Sequence, residues 1–178
     1  MQANIPPRRP ADLPSWRPAE AADLTAIDRI SDVVHPTMVE RPAVLAEKFH
    51  LFPRGCRVLV RDGAIVGYGI AHPWRRRAVP PLDRFLGQLP PDPDCLFIHD
   101  VAILPSARGF ASAGAFVAHV AALAARMSID TLALVSVYGT DPHWARYGFV
   151  VRDTPELAAK LRGYGDHALY MVRPAETP

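Results

Sequence analysis

The chain has 178 residues, of which 49% are hydrophobic and 21% charged, and this is the size and apolar content of one globular domain with a substantial core. Its formal net charge is +2 and its basic residues are dispersed except at 75–77, which argues against a dedicated nucleic-acid binder. The two cysteines, Cys56 and Cys95, fit neither a metal cluster nor a disulfide framework. We therefore expect reduced, buried thiols.

The chain ends are polar, and nothing near the N-terminus resembles the apolar segment of a signal peptide. The most apolar run, 110–125, is too short for a membrane span and contains His119. We expect a cytoplasmic protein with a flexible N-terminal tail (1–14), a single domain (15–174) and a C-terminal tail (175–178).

In chain order, the hydrophobic pattern first predicts two helices and a β-hairpin. Apolar side chains recur near helical spacing in two segments, and two later segments are β-prone. Asp62-Gly63 joins those later segments, and between β-prone runs this pair is the strongest short signal for a hairpin. A short strand that starts at Trp16 precedes the helices at 18–30 and 43–49 and the strands at 56–61 and 64–71.

Residues 72–93 are rich in proline, arginine and glycine, which excludes a regular element except for a turn of helix around 82–86. A loop of this length inside a compact domain is commonly functional. We therefore expect this loop either to form a wall of a substrate site or to extend into solvent without a function. Its arginine run, 75–77, is either a group that holds a carboxylate or phosphate or an ordinary solvated charge run.

A strand, a punctuated turn and a long helix follow. The apolar run that starts at Leu96 leads through 105–109 (PSARG) into an alanine-rich segment that ends at Arg126. Free backbone N–H groups and the positive end of the helix dipole point at one spot in such a turn. The sequence therefore predicts an anion site at the start of this helix.

The rest of the chain predicts a buried strand, a short helix and two more strands. The first of these is continuously apolar, as a strand covered on both faces requires, and Asp141-Pro142 suits a helix start. A hairpin followed by strand, helix and strand predicts a mixed α/β (α+β) fold with helices on both faces of the sheet. The predicted ranges are 131–138, 141–147, 149–152 and 168–172.

Residues 103–113 resemble the acetyl-CoA motif of the GNAT superfamily of N-acetyltransferases. The family pattern is Gln or Arg, two residues, Gly, one residue, then Gly or Ala; Arg108 and Ala113 match it, whereas Ala111 stands where the family usually has its first glycine. A second similarity ends in Gly148-Phe149. The resemblance implies a central mixed, mostly antiparallel sheet that is splayed between two strands, with helices on both faces.

The resemblance also implies acetyl-CoA as cosubstrate and no metal. In the family, the strand before the motif pairs its backbone with the pantetheine arm, and the amides of the motif bind the pyrophosphate. Small residues there let a ligand approach the backbone closely. The residues assigned to acetyl-CoA in this way are Val101, Ala102 and Ile103 for the arm, Arg108, Gly109, Phe110, Ala111, Ser112, Ala113 and Gly114 for the phosphates, and Trp144, which packs on the arm or in the core.

His99 is the candidate general base. Some family members use a residue at this position for that purpose, and imidazole titrates near neutrality. A hydrogen-bonded core histidine is the alternative. Strand alternation sends the side chains of His99 and Asp100 to opposite faces, so only one of them is expected to face the cleft, and we expect a structural role for Asp100.

Tyr147 is the candidate general acid. The usual tyrosine of the family lies four residues before the glycine of Gly148-Phe149, where this chain has Trp144, and indole does not protonate a thiolate. Tyr138 and His143 are other nearby substitutes. Water is a further proton source, because a thiol has a low pKa.

These features together predict an N-acetyltransferase in which an amine attacks bound acetyl-CoA directly, in a ternary complex. The acceptor is a small-molecule or peptide amine, and the resemblance alone implies that His35 and Glu40 shape its site. We expect no nucleic-acid or membrane partner, and a homodimer stays open. The alternatives are a non-catalytic acyl-CoA-binding or regulatory domain, favoured by Ala111 and Trp144, and a structural domain that has lost the ligand.

Overall fold

A computed structural model describes residues 13–109, 112–152 and 154–174. Its strands are β1 (Ser15–Pro18), β2 (Cys56–Arg61), β3 (Ala64–Trp74), β4 (Cys95–Ile103), β5 (Thr131–Ser136), β6 (Val150–Val151) and β7 (Leu169–Pro174). They form one sheet in the order β1-β2-β3-β4-β5-β7-β6. Every pairing in that sheet is antiparallel except the parallel one between β4 and β5. The predicted mixed, mostly antiparallel sheet is therefore confirmed.

Helices cover both faces of the sheet, as predicted. The helices in the described residues are α1 (Leu24–Val34), α2 (Pro42–Leu51), α3 (Ser112–Arg126), α4 (Asp141–Ala145) and α5 (Pro155–Leu161). Residues of α1 and α2 form a core with Tyr68 and Ile70 on one face. Residues of α3 form the core of the opposite face with Leu96 and Ile98. No described helix has the length and apolar content needed to cross a membrane.

The sheet is splayed between β4 and β5. These strands pair only at Leu96, Phe97 and Ile98, opposite Leu132, Ala133 and Leu134. Both strands continue past the last pair, β4 to its end at Ile103 and β5 to its end at Ser136. The sheet therefore opens between their second halves, as the resemblance implied.

Helix α3 packs closely on β3 and β4 because its inner face is apolar and a glycine of β3 leaves room for one of its rings. Phe116, Val117 and Val120 are buried on this face. Phe116 lies over Gly69 of β3, where a Cβ would come within 2.4 Å of its ring. A glycine is thus required at this close approach, and it fixes how deeply α3 seats on the sheet.

The first helix begins later than predicted. Pro18 belongs to β1, which pairs with β2, and a 3-10 turn at Ala21–Asp23 precedes α1. In that turn the Glu20 N–H donates to the Asp23 carboxylate at 2.8 Å. The prediction over 18–30 was therefore wrong at both ends, because strand pairing overrides the helical spacing of the first residues.

Other bounds also differ from the predictions. Strand β3 extends beyond 71 to Trp74, because it continues to pair with β4, and no regular element occurs at 82–86. Helix α5 was missed, although Thr154 caps it with its side chain and Pro155 starts it. Cys56 and Cys95 are buried free thiols, as expected, and burial raises the pKa of each to about 12.

Candidate active site

A cavity of about 1100 Å³ opens where β4 and β5 separate. Its walls are the second half of β4, the turn before α3, the start of α3, the segment after β5 with α4, and the segment between α1 and α2 (residues 35–41, the α1–α2 loop). Pockets for drug-sized ligands are usually no larger than this. The cavity therefore has room for one long ligand or for two ligands together.

One wall is the free edge of β4. Leu104 donates its N–H to the Val66 carbonyl of β3 at 2.9 Å, so alternation turns the backbone polar groups of Val101 and Ile103 to the other edge. Pairing with β5 has already ended there, and the Ile103 carbonyl accepts a hydrogen bond from Arg108 Nε at 3.1 Å. Such an edge is able to pair with an extended ligand.

The turn before α3 forms the adjoining wall. It passes through a 3-10 turn at Pro105–Ala107 to Gly109, whose φ of +86° favours glycine. Ser112, the first residue of α3, has a buried Oγ with no hydrogen-bond partner among the described residues, although buried hydroxyls are normally bonded. Its carbonyl accepts from Trp16 Nε1 at 2.8 Å. The turn and the start of α3 therefore form a cavity wall that contains a positive-φ glycine and backbone groups at a helix start.

Most residues assigned to acetyl-CoA lie in these walls. Ala102 differs, because its side chain is fully buried in the core beneath α1 and α2, and Gly114 lies against the Tyr147 ring, where a Cβ would be 2.8 Å from Cε1. Phe110 and Ala111 lie outside the described residues. The assigned residues that line the cavity are Val101, Ile103, Arg108, Gly109, Ser112, Ala113 and Trp144.

A β-bulge in β4 brings His99 and Asp100 to the same side of the sheet. Ile98 pairs with Ala71 and Asp100 pairs with Ile70, so His99 is an extra residue between two consecutive pairs. Both His99 and Asp100 line the cavity and contact the α1–α2 loop. The expectation that only one of them faces the cleft was wrong, because the bulge interrupts the alternation.

His99 belongs to a buried chain of ionisable side chains. Its side chain is 3% exposed, and Nε2 donates to Glu40 Oε2 at 2.8 Å, while Nδ1 is buried without a partner among the described residues. The other Glu40 oxygen lies 3.3 Å from Nζ of the fully buried Lys48. Burial alone would raise the pKa of Glu40, but the charges of His99 and Lys48 outweigh it and lower that pKa to about 2. Burial lowers the pKa of Lys48 despite its pairing with Glu40.

His72 lies behind His99, with ring centroids 5.7 Å apart. His72 Nδ1 is 3.1 Å from the Pro73 carbonyl, and Nε2 has no partner among the described residues. Burial, together with the nearby charge of His99, lowers the pKa of His72 to about 3. His72 is therefore a neutral ring that supports His99 from the core side.

Asp100 holds a second pair. Its Oδ1 lies 2.9 Å from Nε2 of His35, and Oδ2 accepts a hydrogen bond from the Tyr68 hydroxyl. Burial and the Asp100 charge raise the pKa of Tyr68, which keeps the phenol protonated as a donor. The side chains of His35 and Asp100 are each 14% exposed, so this pair is more accessible than the Glu40–His99 pair.

Tyr147 and Trp144 also line the cavity. Tyr147 packs on Gly114, and its carbonyl accepts from Arg173 at 2.8 Å. The Trp144 ring meets that of Phe149 edge-on, with centroids 6.0 Å apart. The packing of its ring on Gly114 thus holds Tyr147 beside the start of α3.

The segment between β3 and β4 (residues 75–94, the β3–β4 loop) is docked on α2. The Glu47 carboxylate accepts the N–H groups of Leu86 at 2.7 Å and Gly87 at 2.9 Å. Leu82 of this loop lines the cavity. Of the two roles left open for the loop, a cavity wall is therefore the one observed.

The arginine run is paired within its own loop. Arg75 contacts Asp92, and Arg76 contacts Asp94 with 3.2 Å between Nε and Oδ2. Neither arginine lines the cavity. These two side chains therefore hold the β3–β4 loop together rather than face the site.

Sequence reasoning missed Lys48 and Tyr68. Lys48 is one of only two lysines in the chain and is fully buried, but in sequence it resembles an ordinary polar position of α2. Tyr68 lies in a β-prone run where an aromatic residue is unremarkable. No signal in a single sequence indicates that either contacts a carboxylate from another element.

The described residues also contain no group of three or more His, Cys, Asp or Glu side chains able to hold a metal ion.

Comparisons with known proteins agree with this geometry. Residues 22–151 match the model of the acetyltransferase (GNAT) family, whereas no curated protein matches the chain by sequence. The loading GNATL domain of CurA from Lyngbya majuscula is similar with a TM-score of 0.73 at 10% identity, over 91% of this chain and 98% of that one. The GphF GNAT-like decarboxylase in complex with isobutyryl-CoA gives 0.71 at 20% identity, over 91% and 100%. The ribosomal-protein-S18-alanine N-acetyltransferase from Escherichia coli gives 0.62 at 16% identity, over 93% and 96%. At these identities the structural likeness shows a shared fold.

Proposed function

The chain belongs to the GNAT acetyltransferase family, and we propose that it is an N-acetyltransferase that transfers the acetyl group of acetyl-CoA to an amine. The main support is the cavity at the splayed β4–β5 edge, which also has the glycine turn and the start of α3 in its wall. An extended arm that contains amides needs a free strand edge, and a pyrophosphate next to it needs a helix start.

The residues present fit acetyl-CoA. In the proposed complex, the backbone of Val101 and Ile103 pairs with the pantetheine arm. Gly109 and the first amides of α3 meet the phosphates, with Arg108 nearby as a cation. The coenzyme supplies an activated thioester, and this chain supplies the edge and the turn that hold it.

The acceptor amine enters from the other end of the cavity. That end contains two histidine–carboxylate pairs, Glu40 with His99 and Asp100 with His35. An acceptor amine arrives largely as an ammonium ion, which a carboxylate-rich end favours. A small-molecule amine and a peptide amine both remain acceptor classes of this proposal.

In the proposed reaction the free amine attacks the thioester carbonyl carbon, the new C–N bond replaces the C–S bond, and the thiolate takes up a proton. The sequence makes His99 a candidate general base, and His35 is a second histidine at the same end of the cavity. Nε2 of His99 is engaged by Glu40, so only its Nδ1 is able to accept a proton, after water or a ring movement reaches this buried atom. Tyr147 is the proposed proton donor to the thiolate.

Release of free CoA thiol from acetyl-CoA, measured across a panel of small and peptide amines, tests the proposal. Amine-dependent thiol release, matched by an equal amount of acetylated amine in the mass spectrum, is the expected result. Tight binding of acetyl-CoA without turnover on any amine supports the non-catalytic acyl-CoA-binding domain instead. Trp144, at the position of the family's usual tyrosine, favours that alternative. The absence of a thermal shift with acetyl-CoA supports a structural domain.

A further inference from the structure

His35 has the geometry of a side chain held for proton transfer. Its ring lines the cavity and stacks on Tyr138, with centroids 5.9 Å apart and planes at 10°. The Asp100 carboxylate accepts from Nε2 of His35 and from the Tyr68 hydroxyl. Because a carboxylate only accepts, the hydrogen of the neutral imidazole is on Nε2, and the basic lone pair is on Nδ1.

His35 and His99, the two histidines at the acceptor end of the cavity, differ in how exposed their Nδ1 lone pair is. Among the described residues the His35 ring bonds only through Nε2, to Asp100, and its side chain lines the cavity with 14% of its surface exposed. His99 Nδ1 is buried without a partner, and its side chain is only 3% exposed. An amine in the cavity therefore reaches His35 without any change in the protein.

The charges around His35 favour its protonated form. Burial lowers the pKa of His35 and Arg108 also lowers it, but the hydrogen bond and charge of Asp100, with a smaller contribution from Glu40, outweigh both and raise it. The Tyr138 ring stacks on one face of the His35 ring. His35 therefore gains proton affinity from a carboxylate that is itself fixed by Tyr68.

We propose that His35, oriented by Asp100, is the group that takes the proton from the acceptor ammonium, an inference that rests on the proposed N-acetyl transfer. His35 Nδ1 removes one proton from R–NH3⁺ to give R–NH2 and an imidazolium paired with Asp100. The amine lone pair then forms the C–N bond, the C–S bond breaks, and the thiolate accepts the second proton. The imidazolium returns its proton to water. Asp100 is a positioning residue in this scheme.

The pH dependence of kcat/KM for the amine tests this assignment, with His35→Gln, Asp100→Asn and His99→Gln compared with the wild type. We expect His35→Gln to lower kcat/KM by about 100-fold or more and to abolish the acidic limb of the profile, as loss of a general base does. Asp100→Asn should move that limb to lower pH, because the imidazolium loses its counter-charge. His99→Gln should keep the limb. Unchanged acetyl-CoA affinity and unfolding midpoints exclude a general loss of structure, and His35→Asn replaces His35→Gln if the latter unfolds.

A wild-type profile in His35→Gln, or loss of the limb in His99→Gln, overturns the assignment. A second measurement needs no turnover, so it tests the pairing of His35 with Asp100 separately from the proposed acetyl transfer. An NMR titration of His35 should give a pKa above the ordinary histidine value in the wild type and a lower one in Asp100→Asn. Equal His35 pKa values in the two proteins contradict the Asp100–His35 pair. If the His35 pKa values are as expected but no amine is acetylated, the pair stands. In that case the proposed acetyl transfer is wrong, and so is the role of His35 as its proton acceptor.

Discussion

At the scale of single residues, the acceptor end of the cavity is built from buried charges that neutralise one another. Glu40 contacts both Lys48 and His99, and Asp100 contacts His35. A buried ion pair adds little net stability, but removal of one partner leaves an uncompensated charge in a low-dielectric interior. Each of these side chains is therefore sensitive to substitution of its partner.

Glu40→Gln should lower the free energy of unfolding by about 3 kcal/mol, because it leaves the fully buried Lys48 ammonium without a carboxylate. Urea denaturation measures this change. The matched control is the double variant Glu40→Gln/Lys48→Met, which removes both charges and should recover part of the loss. A single variant as stable as the wild type would contradict a charged pair at this position.

His72 should make the protein sensitive to mild acid. Its pKa is lowered to about 3 in the folded protein, from an ordinary value of 6.5, so the unfolded chain binds a proton between these values that the folded chain does not. The free energy of unfolding should therefore fall as the pH is lowered from 6.5 towards 3, by up to about 1.4 kcal/mol per pH unit from this residue. Denaturation at several pH values should give a shallower dependence for His72→Phe, and equal slopes in the two proteins would argue against a neutral buried His72.

Tyr147→Phe isolates the phenol hydroxyl, because the ring that packs on Gly114 is retained. If Tyr147 protonates the leaving thiolate, kcat should fall by about 100-fold with the KM for acetyl-CoA unchanged. Steady-state kinetics of thiol release measures both constants. An unchanged kcat would instead indicate water as the proton source.

The sequence indicated which residue types meet at this end of the site but not how they pair. His35, Glu40 and His99 were all singled out, yet the expectation that only one of His99 and Asp100 faces the cleft was wrong because it relied on strict alternation along β4. A bulge adds one residue without any signal in β-propensity. Lys48 is close to Glu40 in sequence and Tyr68 is distant from Asp100, but in both cases only tertiary packing determines that the side chain is buried against a carboxylate.

At the scale of elements, the β4–turn–α3 unit is the part of the fold that hydrophobic pattern and turn chemistry predicted best. The strand, the turn with Gly109 and the long alanine-rich helix all occur where expected. Predictions failed where pairing extends or shortens an element, as in β3, which continues through Pro73. Helix α5 was missed because its capping signal, Thr154-Pro155, is followed by only a short apolar pattern.

Gly109→Ala tests the turn. Gly109 has a φ of +86° with open space at the Cβ position, so an alanine there adds backbone strain of about 1 kcal/mol and no clash. We expect the dissociation constant of acetyl-CoA, measured by calorimetry, to rise several-fold. Gly63→Ala in the β2–β3 turn is the matched control, because Gly63 has a φ of +76° and equally open space. Equal affinities in the two variants would contradict a coenzyme site at the turn before α3.

At the scale of the whole molecule, the separation of β4 from β5 connects the fold to the proposed chemistry. The sheet holds these strands together for three residue pairs and then releases them, with α3 on one face and the α1–α2 loop on the other. The overall order of elements was predictable because periodicity and turn residues are local properties. The shape of the cavity was not, because it depends on the docking of the β3–β4 loop and on contacts between distant loops.

The most direct test of acetyl transfer follows the acetyl carbon itself. Acetyl-CoA labelled with ¹³C at the carbonyl is mixed with the protein and an amine from the panel, and the carbonyl resonance is recorded by NMR. We predict that the thioester signal is replaced by an amide signal at a rate proportional to protein concentration. Persistence of the thioester signal with every amine, or its replacement by free acetate alone, would contradict an N-acetyltransferase.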